Sequence, residues 1–292
     1  MQRLADQGAM IDTEAFSLED RDNKFTVIHF DDKAVSEEVT ADLSRVAKLR
    51  DVRFRRCQFR SGAFRGVRTL PTPVSFLFER CELPAGALAD LEGSDGIAAL
   101  RFIDTPTNDG LFTGLTSLPN LWALELDSPD LTAAGLRSLD HCPRLTELVV
   151  RDAAIDNEAL ARFVEAHDLT WLDISRTRIT DGAAPVIAGL KNLRYLRLAS
   201  CDISDAGVAR LGGLTKLKFL DLSGTRITDM ALRTVAQMAD LREVGLSDTA
   251  ATDAGIEQLA GLQRLNRIGN RKTRITATAA VRIFGAKISV DE

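Results

Sequence analysis

One tyrosine, two tryptophans, three histidines and four cysteines are spread over 292 residues. Each scarcity removes a class of chemistry. His29, His141 and His167 fall at different phases of the pattern described below, so no nucleophile–histidine–acid arrangement follows from them. Cys57, Cys81, Cys142 and Cys201 form no CxxC pair, which leaves neither a zinc ribbon nor a thioredoxin-type motif. No glycine-rich phosphate loop occurs. No stretch approaches the roughly 18 consecutive apolar residues of a membrane span. The first twenty residues, MQRLADQGAMIDTEAFSLED, scatter acids where a secretory signal needs an apolar run. A net charge of −5 argues against a global nucleic-acid binder. The expectation is a cytoplasmic protein without a catalytic residue, cofactor, metal or membrane segment.

Apolar residues are plentiful, at 45%, and they recur with a period. The phrase LRYLRLASCDISDAGVARLGGLTK, residues 193–216, restarts at Leu217 as LKFLDLSGTRITDMALRTVAQMAD. Related phrases begin at Leu169 and Leu241, and the same 24-residue step carries back to Phe25 and forward to Leu265. Eleven contiguous units therefore span residues 25–288, between an N-terminal segment 1–24 and a tail 289–292. The fourth place reads Ile28, Val52, Phe76, Leu100, Leu124, Leu148, Leu172, Leu196, Leu220, Val244 and Ile268. The sixth reads Phe30, Phe54, Phe78, Phe102, Leu126, Val150, Ile174, Leu198, Leu222, Leu246 and then Asn270.

Places four and six alternate as a strand with one buried face does. A second apolar set, such as Ile203, Val208, Leu211 and Leu214, has helical spacing. Thr180, Ser204, Thr228 and Thr252 stand where an N-cap would open that helix, each followed by Asp. Each unit reads as strand, turn and helix, and none can bury its apolar face without a neighbour.

The pattern L-x-x-L-x-L-x-x-N/C-x-L resembles the leucine-rich repeat family along about nine-tenths of the chain. In its 24-residue form, with Thr or Cys at the ninth place and a following ITD, it is similar to bacterial leucine-rich repeat proteins and to the repeats of F-box adaptors. The resemblance implies a right-handed α/β solenoid, with a parallel sheet on the concave face and helices on the convex face. It also implies a protein partner. The ninth place carries Lys33, Cys57, Cys81, Thr105, Pro129, Ala153, Thr177, Cys201, Thr225, Thr249 and Thr273 instead of Asn. Its cysteines are expected to be buried structural thiols, and Cys142, in an apolar helical column, is expected in the core. Ile11, Asp12 and Phe16 echo the helical half of a unit, so the segment 1–24 is expected to be a capping half-repeat. It is about half the length that an F-box needs.

Odd strand places face away from the core. Read down the third place, Trp171, Tyr195 and Phe219 occupy consecutive units, with Asp173, Arg197 and Asp221 beside them at the fifth. Strands about 4.8 Å apart bring such rings within reach of one another. Trp122 also falls at an unburied place. Exposed aromatics interleaved with charge are the composition of a binding hot spot. The expectation is a monomeric, non-enzymatic module that binds another protein through this strip. Two alternatives stand beside it. One is an adaptor for a ubiquitin-ligase-type machine. The other is contact with nucleic acid or an acidic partner through the arginine-rich second unit, where Arg53, Arg55 and Arg56 are expected on the concave side. There Asp31, Glu79 and Asp32 stand beside them and would neutralise them in part.

Overall fold

The computed structural model describes residues 1–14, 25–67, 70, 72–136, 142–285 and 288–290. It divides into two units, Met1–Leu145 and Thr146–Glu292. Phe16, Arg68 and His141 lie outside the described residues.

In the first unit the strands Phe25–Asp31, Leu49–Arg55, Val74–Glu79, Ile97–Ile103 and Ala123–Asp127 pair in parallel. Their sixth places form a fully buried phenylalanine spine: Phe30, Phe54, Phe78 and Phe102 stack with centroids 5.3, 5.4 and 4.7 Å apart. Most return segments here are single turns of 3-10 helix, such as Arg65–Val67 and Ala89–Leu91. Gly62 and Gly86, both with positive φ, stand just before them and suit tight turns better than a longer helix.

The N-terminal residues differ from the half-repeat expected of them. Gln2–Asp6 is a short helix, and Ile11 and Asp12 lie in the strand Ala9–Glu14, which pairs antiparallel with Phe25–Asp31. Ile11 faces Ile28 and Asp12 faces Val27 in that register. A strand satisfies the backbone groups along the Phe25–Asp31 edge, which a helical half would leave open.

In the second unit Glu147–Arg151, Trp171–Asp173, Tyr195–Arg197, Phe219–Asp221, Glu243–Gly245, Arg267–Gly269 and Ser289–Val290 form parallel pairs in that order. Ser289 and Val290 are thus the last strand of this sheet. The core column is aliphatic here: Val150, Ile174, Leu198, Leu222 and Leu246 are buried. Asn270 ends it, half-buried, and its amide donates to the Ile275 carbonyl at 3.1 Å. The returns are α-helices, among them Ala184–Gly189, Asp205–Ala209, Asp229–Val235, Asp253–Glu257 and Ala277–Phe284. Ser204, Thr228 and Thr252 cap them as the sequence suggests, accepting from the N–H groups of Ala206, Met230 and Ala254.

The Asp that follows each cap residue does more than favour a helix N-terminus. Asp205 accepts from the N–H and hydroxyl of Thr228 in the next repeat, at 2.8 and 2.7 Å, and from the Ala231 N–H at 3.1 Å. Asp229 holds Thr252 at 2.8 and 2.7 Å in the same way. Each carboxylate therefore clamps one repeat to the next. The clamp explains a glycine three residues beyond some caps. A Cβ on Gly207 would lie 2.2 Å from the Asp181 carboxylate, and one on Gly255 would lie 2.1 Å from that of Asp229.

Two further columns stitch repeats together. The eighth place takes a left-handed conformation in Asp32, Arg56, Arg80, Asp104, Asp152, Arg176, Ser200, Asp248 and Lys272, with φ between 48° and 56°. There the chain leaves the strand, and the N–H of the turning residue reaches the next repeat, as Arg56 to the Glu79 carbonyl at 2.8 Å and Ser200 to that of Ser223 at 2.7 Å. The ninth place bonds sixth-place carbonyls. Cys57, Cys81 and Cys201 donate to the carbonyls of Phe30, Phe54 and Ile174 in the preceding repeat, and Thr105 donates likewise to that of Phe78. Thr177, Thr225, Thr249 and Thr273 bond the sixth-place carbonyl of their own repeat.

Candidate functional site

Parallel pairing puts Trp171 beside Tyr195, and Tyr195 beside Phe219. Leu172, Leu196 and Leu220 between them point into the core, so period-two geometry sends the rings to the opposite, open face. All three are half-buried. Trp171 and Tyr195 stack with centroids 4.5 Å apart and planes 25° from parallel; Tyr195 and Phe219 follow at 6.4 Å and 29°. Arg197 lies over both ends of the strip, 5.9 Å from the Trp171 ring and 4.9 Å from that of Phe219. Such contacts favour a cation over an aromatic face by about 0.5–1 kcal/mol at exposed sites.

Asp173 is not on the surface where the strand pattern puts it. Its side chain is only 2% exposed, and it accepts from the N–H and hydroxyl of Ser175 at 3.1 and 2.6 Å. Its second oxygen stands 3.6 Å from Arg197. So little exposed, Asp173 serves to position Arg197 and is not itself open to a partner.

Asp221, half-buried, keeps an open side. Beyond it the fifth place changes to Gly245 and Gly269, and a pocket of about 270 Å³ opens between Phe219, Asp221, Glu243 and Arg267. A Cβ on Gly245 would lie 2.3 Å from the Asp221 carboxylate. The bare glycines are what leave the room.

The other expected residues belong to the first unit. Trp122 is 39% exposed, with the Arg101 guanidinium 5.5 Å from its ring. Arg53 and Arg55 line an open-face pocket of about 440 Å³ together with His29, Asp31, Glu79 and Arg101. Arg55 stands between Asp31 and Glu79, at 3.7 and 3.5 Å, as the column of charges implies. Arg56 meets the acid expected beside it, but from outside the strand. It sits in the left-handed turn beyond the strand and grips Asp32 with two hydrogen bonds of 2.7 and 2.6 Å. The guanidinium holds the Asp32 carboxyl below the usual carboxylate range, and the carboxylate raises Arg56 in turn.

The cysteines are free thiols. Cys57 and Cys81 stand on adjacent rungs, and the interaction of the two thiols pulls Cys57 below its usual range and pushes Cys81 above it. Burial raises Cys201, and it raises Cys142 to about 11, although Cys142 is only half-buried where its column suggested the core. No group of three metal-ligating side chains occurs among the described residues. No helix among them is long and apolar enough to cross a membrane.

One column escaped the sequence reading. At the second place, just before each strand, Arg194, Lys218 and Arg242 follow one another in consecutive repeats. Their backbones are direct neighbours: the Lys218 N–H donates to the Arg194 carbonyl and the Arg242 N–H to the Lys218 carbonyl, each at 2.8 Å. Reading the second place downwards, as the third was read, would have found them.

The repeating strand, left-handed turn and helix define an α/β leucine-rich-repeat solenoid. Residues 191–234 match the family model described as leucine-rich repeats in two copies. Similar solved structures are leucine-rich-repeat proteins of bacteria. An internalin (InlF) of Listeria monocytogenes is 17% identical, with a TM-score of 0.64 over 91% of this chain and 86% of its own. Internalin C2 of the same organism is 27% identical, with a TM-score of 0.56 over 70% and 82%. A leucine-rich-repeat protein of Leptospira interrogans is 15% identical, with a TM-score of 0.54 over 89% and 75%. No curated protein sequence matches the chain significantly. The fold is thus that of bacterial leucine-rich-repeat structures, and residues 191–234 carry the family's sequence pattern.

Proposed function

We propose that the protein is a non-enzymatic interaction module that binds another protein through the open face of the second unit's sheet. The carrying observation is the placement of Trp171, Tyr195 and Phe219. The unit fills its core column with aliphatic side chains, and keeps a stacked aromatic strip half-exposed on the other side. Tryptophan, tyrosine and arginine are the residues on which interface energy concentrates. Arg197 is held in place by Asp173 and by two rings before any partner arrives, which lowers the ordering cost of binding. Asp221 and the glycine-floored pocket beside Phe219 supply a polar recess for one partner side chain.

In this reading Trp122 and the arginines of the second repeat are secondary contacts, since Arg55 and Arg56 are each engaged by acids of neighbouring rungs. The protein acts as a monomer in the cytoplasm, where a reducing environment suits buried free thiols on adjacent rungs. Residues 1–24 cap eleven repeats spanning 25–288.

The test is capture from a lysate of the source organism, run beside a variant with Trp171, Tyr195 and Phe219 all changed to Ala. Circular dichroism checks that the variant is folded. A protein retained by the wild type and lost by the folded variant supports the reading. Equal retention by both overturns it.

A further inference from the structure

In the second unit ion pairs tie neighbouring repeats together, and one column of cations stands outside them. The ion pairs described in this unit join neighbouring repeats with opposite signs: Asp152 with Arg176, Asp173 with Arg197, Asp202 with Arg226, Asp240 with Arg264, and Glu257 with Arg282. Arg194, Lys218 and Arg242 stack three like charges instead, and none of the three has an ion pair among the described residues. Arg194 and Arg242 are exposed and Lys218 is half-buried. Like charges facing one another across a ladder destabilise the sheet. A column of that kind is relieved by an anion that bridges it.

The column also lies one residue from the aromatic strip. Arg194 precedes Tyr195, Lys218 precedes Phe219, and Arg242 precedes Glu243. Glu147 pairs with Trp171 on one flank and Glu243 with Phe219 on the other, so carboxylates bound the strip at both ends. In this column positive charge is confined to three rungs, between Thr170 and Asn266, which span about 10 Å at the spacing of parallel strands.

We infer that this column and the adjoining rings receive an acidic, extended segment of a partner protein, in which acids alternate with apolar residues. The inference rests on the proposed binding role of the strip and names the chemistry of its partner. An extended chain laid across the rungs places same-side residues about 6.6 Å apart. Two or three carboxylates then fall within reach of Arg194, Lys218 and Arg242, while the intervening apolar side chains rest on the exposed edges of Tyr195 and Phe219.

A nucleic acid would use the same cations, but the rings disfavour it. Sequence-tolerant binding of single strands needs open aromatic faces on which bases stack. Here Trp171 and Tyr195 occupy each other's faces at 4.5 Å, and Arg197 lies 4.9 Å over Phe219. What they offer a partner is largely ring edge, which suits aliphatic contact.

The experiment uses the full chain and a fluorescein-labelled peptide of alternating Glu and Leu, read by fluorescence polarisation. Its controls are the same peptide with Gln for Glu and a labelled oligothymidylate. The variants are R194Q/K218Q/R242Q and the charge-keeping K218R, with circular dichroism to confirm folding. The expected result is binding of the Glu peptide at least about tenfold tighter than the Gln peptide. That preference should weaken with salt, disappear in the triple variant and survive in K218R. Equal affinity for the Glu and Gln peptides, or an unchanged triple variant, overturns the inference. Oligothymidylate bound as tightly as the Glu peptide overturns the assignment to a protein segment. The aromatic triple-Ala variant separates the two readings. A cellular partner lost with the rings but kept in R194Q/K218Q/R242Q sinks this inference alone. Glu-peptide binding that survives without the rings sinks the central role of the strip and leaves the cation column standing.

Discussion

Both units stack aromatic rings rung upon rung, and they do so on opposite sides of the sheet. In the first, Phe30, Phe54, Phe78 and Phe102 run through the core with no exposure. In the second, Trp171, Tyr195 and Phe219 run along the open face, over a core of leucine, isoleucine and valine. The spacings are alike, 4.7–5.4 Å inside and 4.5–6.4 Å outside. Strand separation sets that geometry in both places. What differs is the partner of each ring's remaining surface. Phe78 spends it on Phe59, Phe64 and Phe76; the open-face rings leave theirs to solvent or to another molecule. The same column of rings is thus buried or left half-exposed according to whether its strand place is even or odd.

The comparison breaks most visibly at Phe78. Phe78→Ala removes the ring at the centre of five aromatic contacts, and it should cost about 3–5 kcal/mol in denaturant unfolding. The next largest effect is expected at the clamp. Asp205→Ala leaves two N–H groups and a hydroxyl of the next repeat without their acceptor, a loss of about 1–3 kcal/mol in the same assay. Tyr195→Ala sits below that. It forfeits two ring pairs on a solvated face, each contributing about 0.5–1.5 kcal/mol, and should weaken partner capture far more than folding. Equal unfolding costs for Phe78→Ala and Tyr195→Ala would show that the strip is core by another name.

The smallest effect belongs to an exposed pair. Arg56 depresses the Asp32 carboxyl, so the pair's contribution is present at neutral pH and fades as pH falls through the carboxylate range towards the lowered value. Arg56→Gln should move the Asp32 titration seen by NMR upward and leave the unfolding midpoint at neutral pH almost unchanged.

Much of this was legible in the residues. Leucines every 24 positions announce the repeat, and alternation at places three to six says which side chains meet. The ring contacts of Trp171, Tyr195 and Phe219, and the seat of Arg55 between Asp31 and Glu79, follow from that periodicity alone. Asp173 was misjudged because alternation assigns a face and says nothing of how deep a short carboxylate sits between larger neighbours. Arg56 was misjudged because the left-handed turn at the eighth place ends the strand's alternation. Ile11 and Asp12 were misjudged because an isolated apolar echo does not distinguish a helix from an edge strand.

By itself, then, the sequence determined the repeat, the strand of each unit and the helices of the second half, the buried columns and the rungs on which charges and rings meet. These are local and periodic, and elementary backbone geometry reads them. Only the tertiary structure decided that an Asp after a cap clamps the following repeat, that Asp173 is buried within 3.6 Å of Arg197, and that Arg194, Lys218 and Arg242 have no ion pair among the described residues. Those outcomes depend on distances between side chains a full repeat apart, which spacing along the chain does not contain.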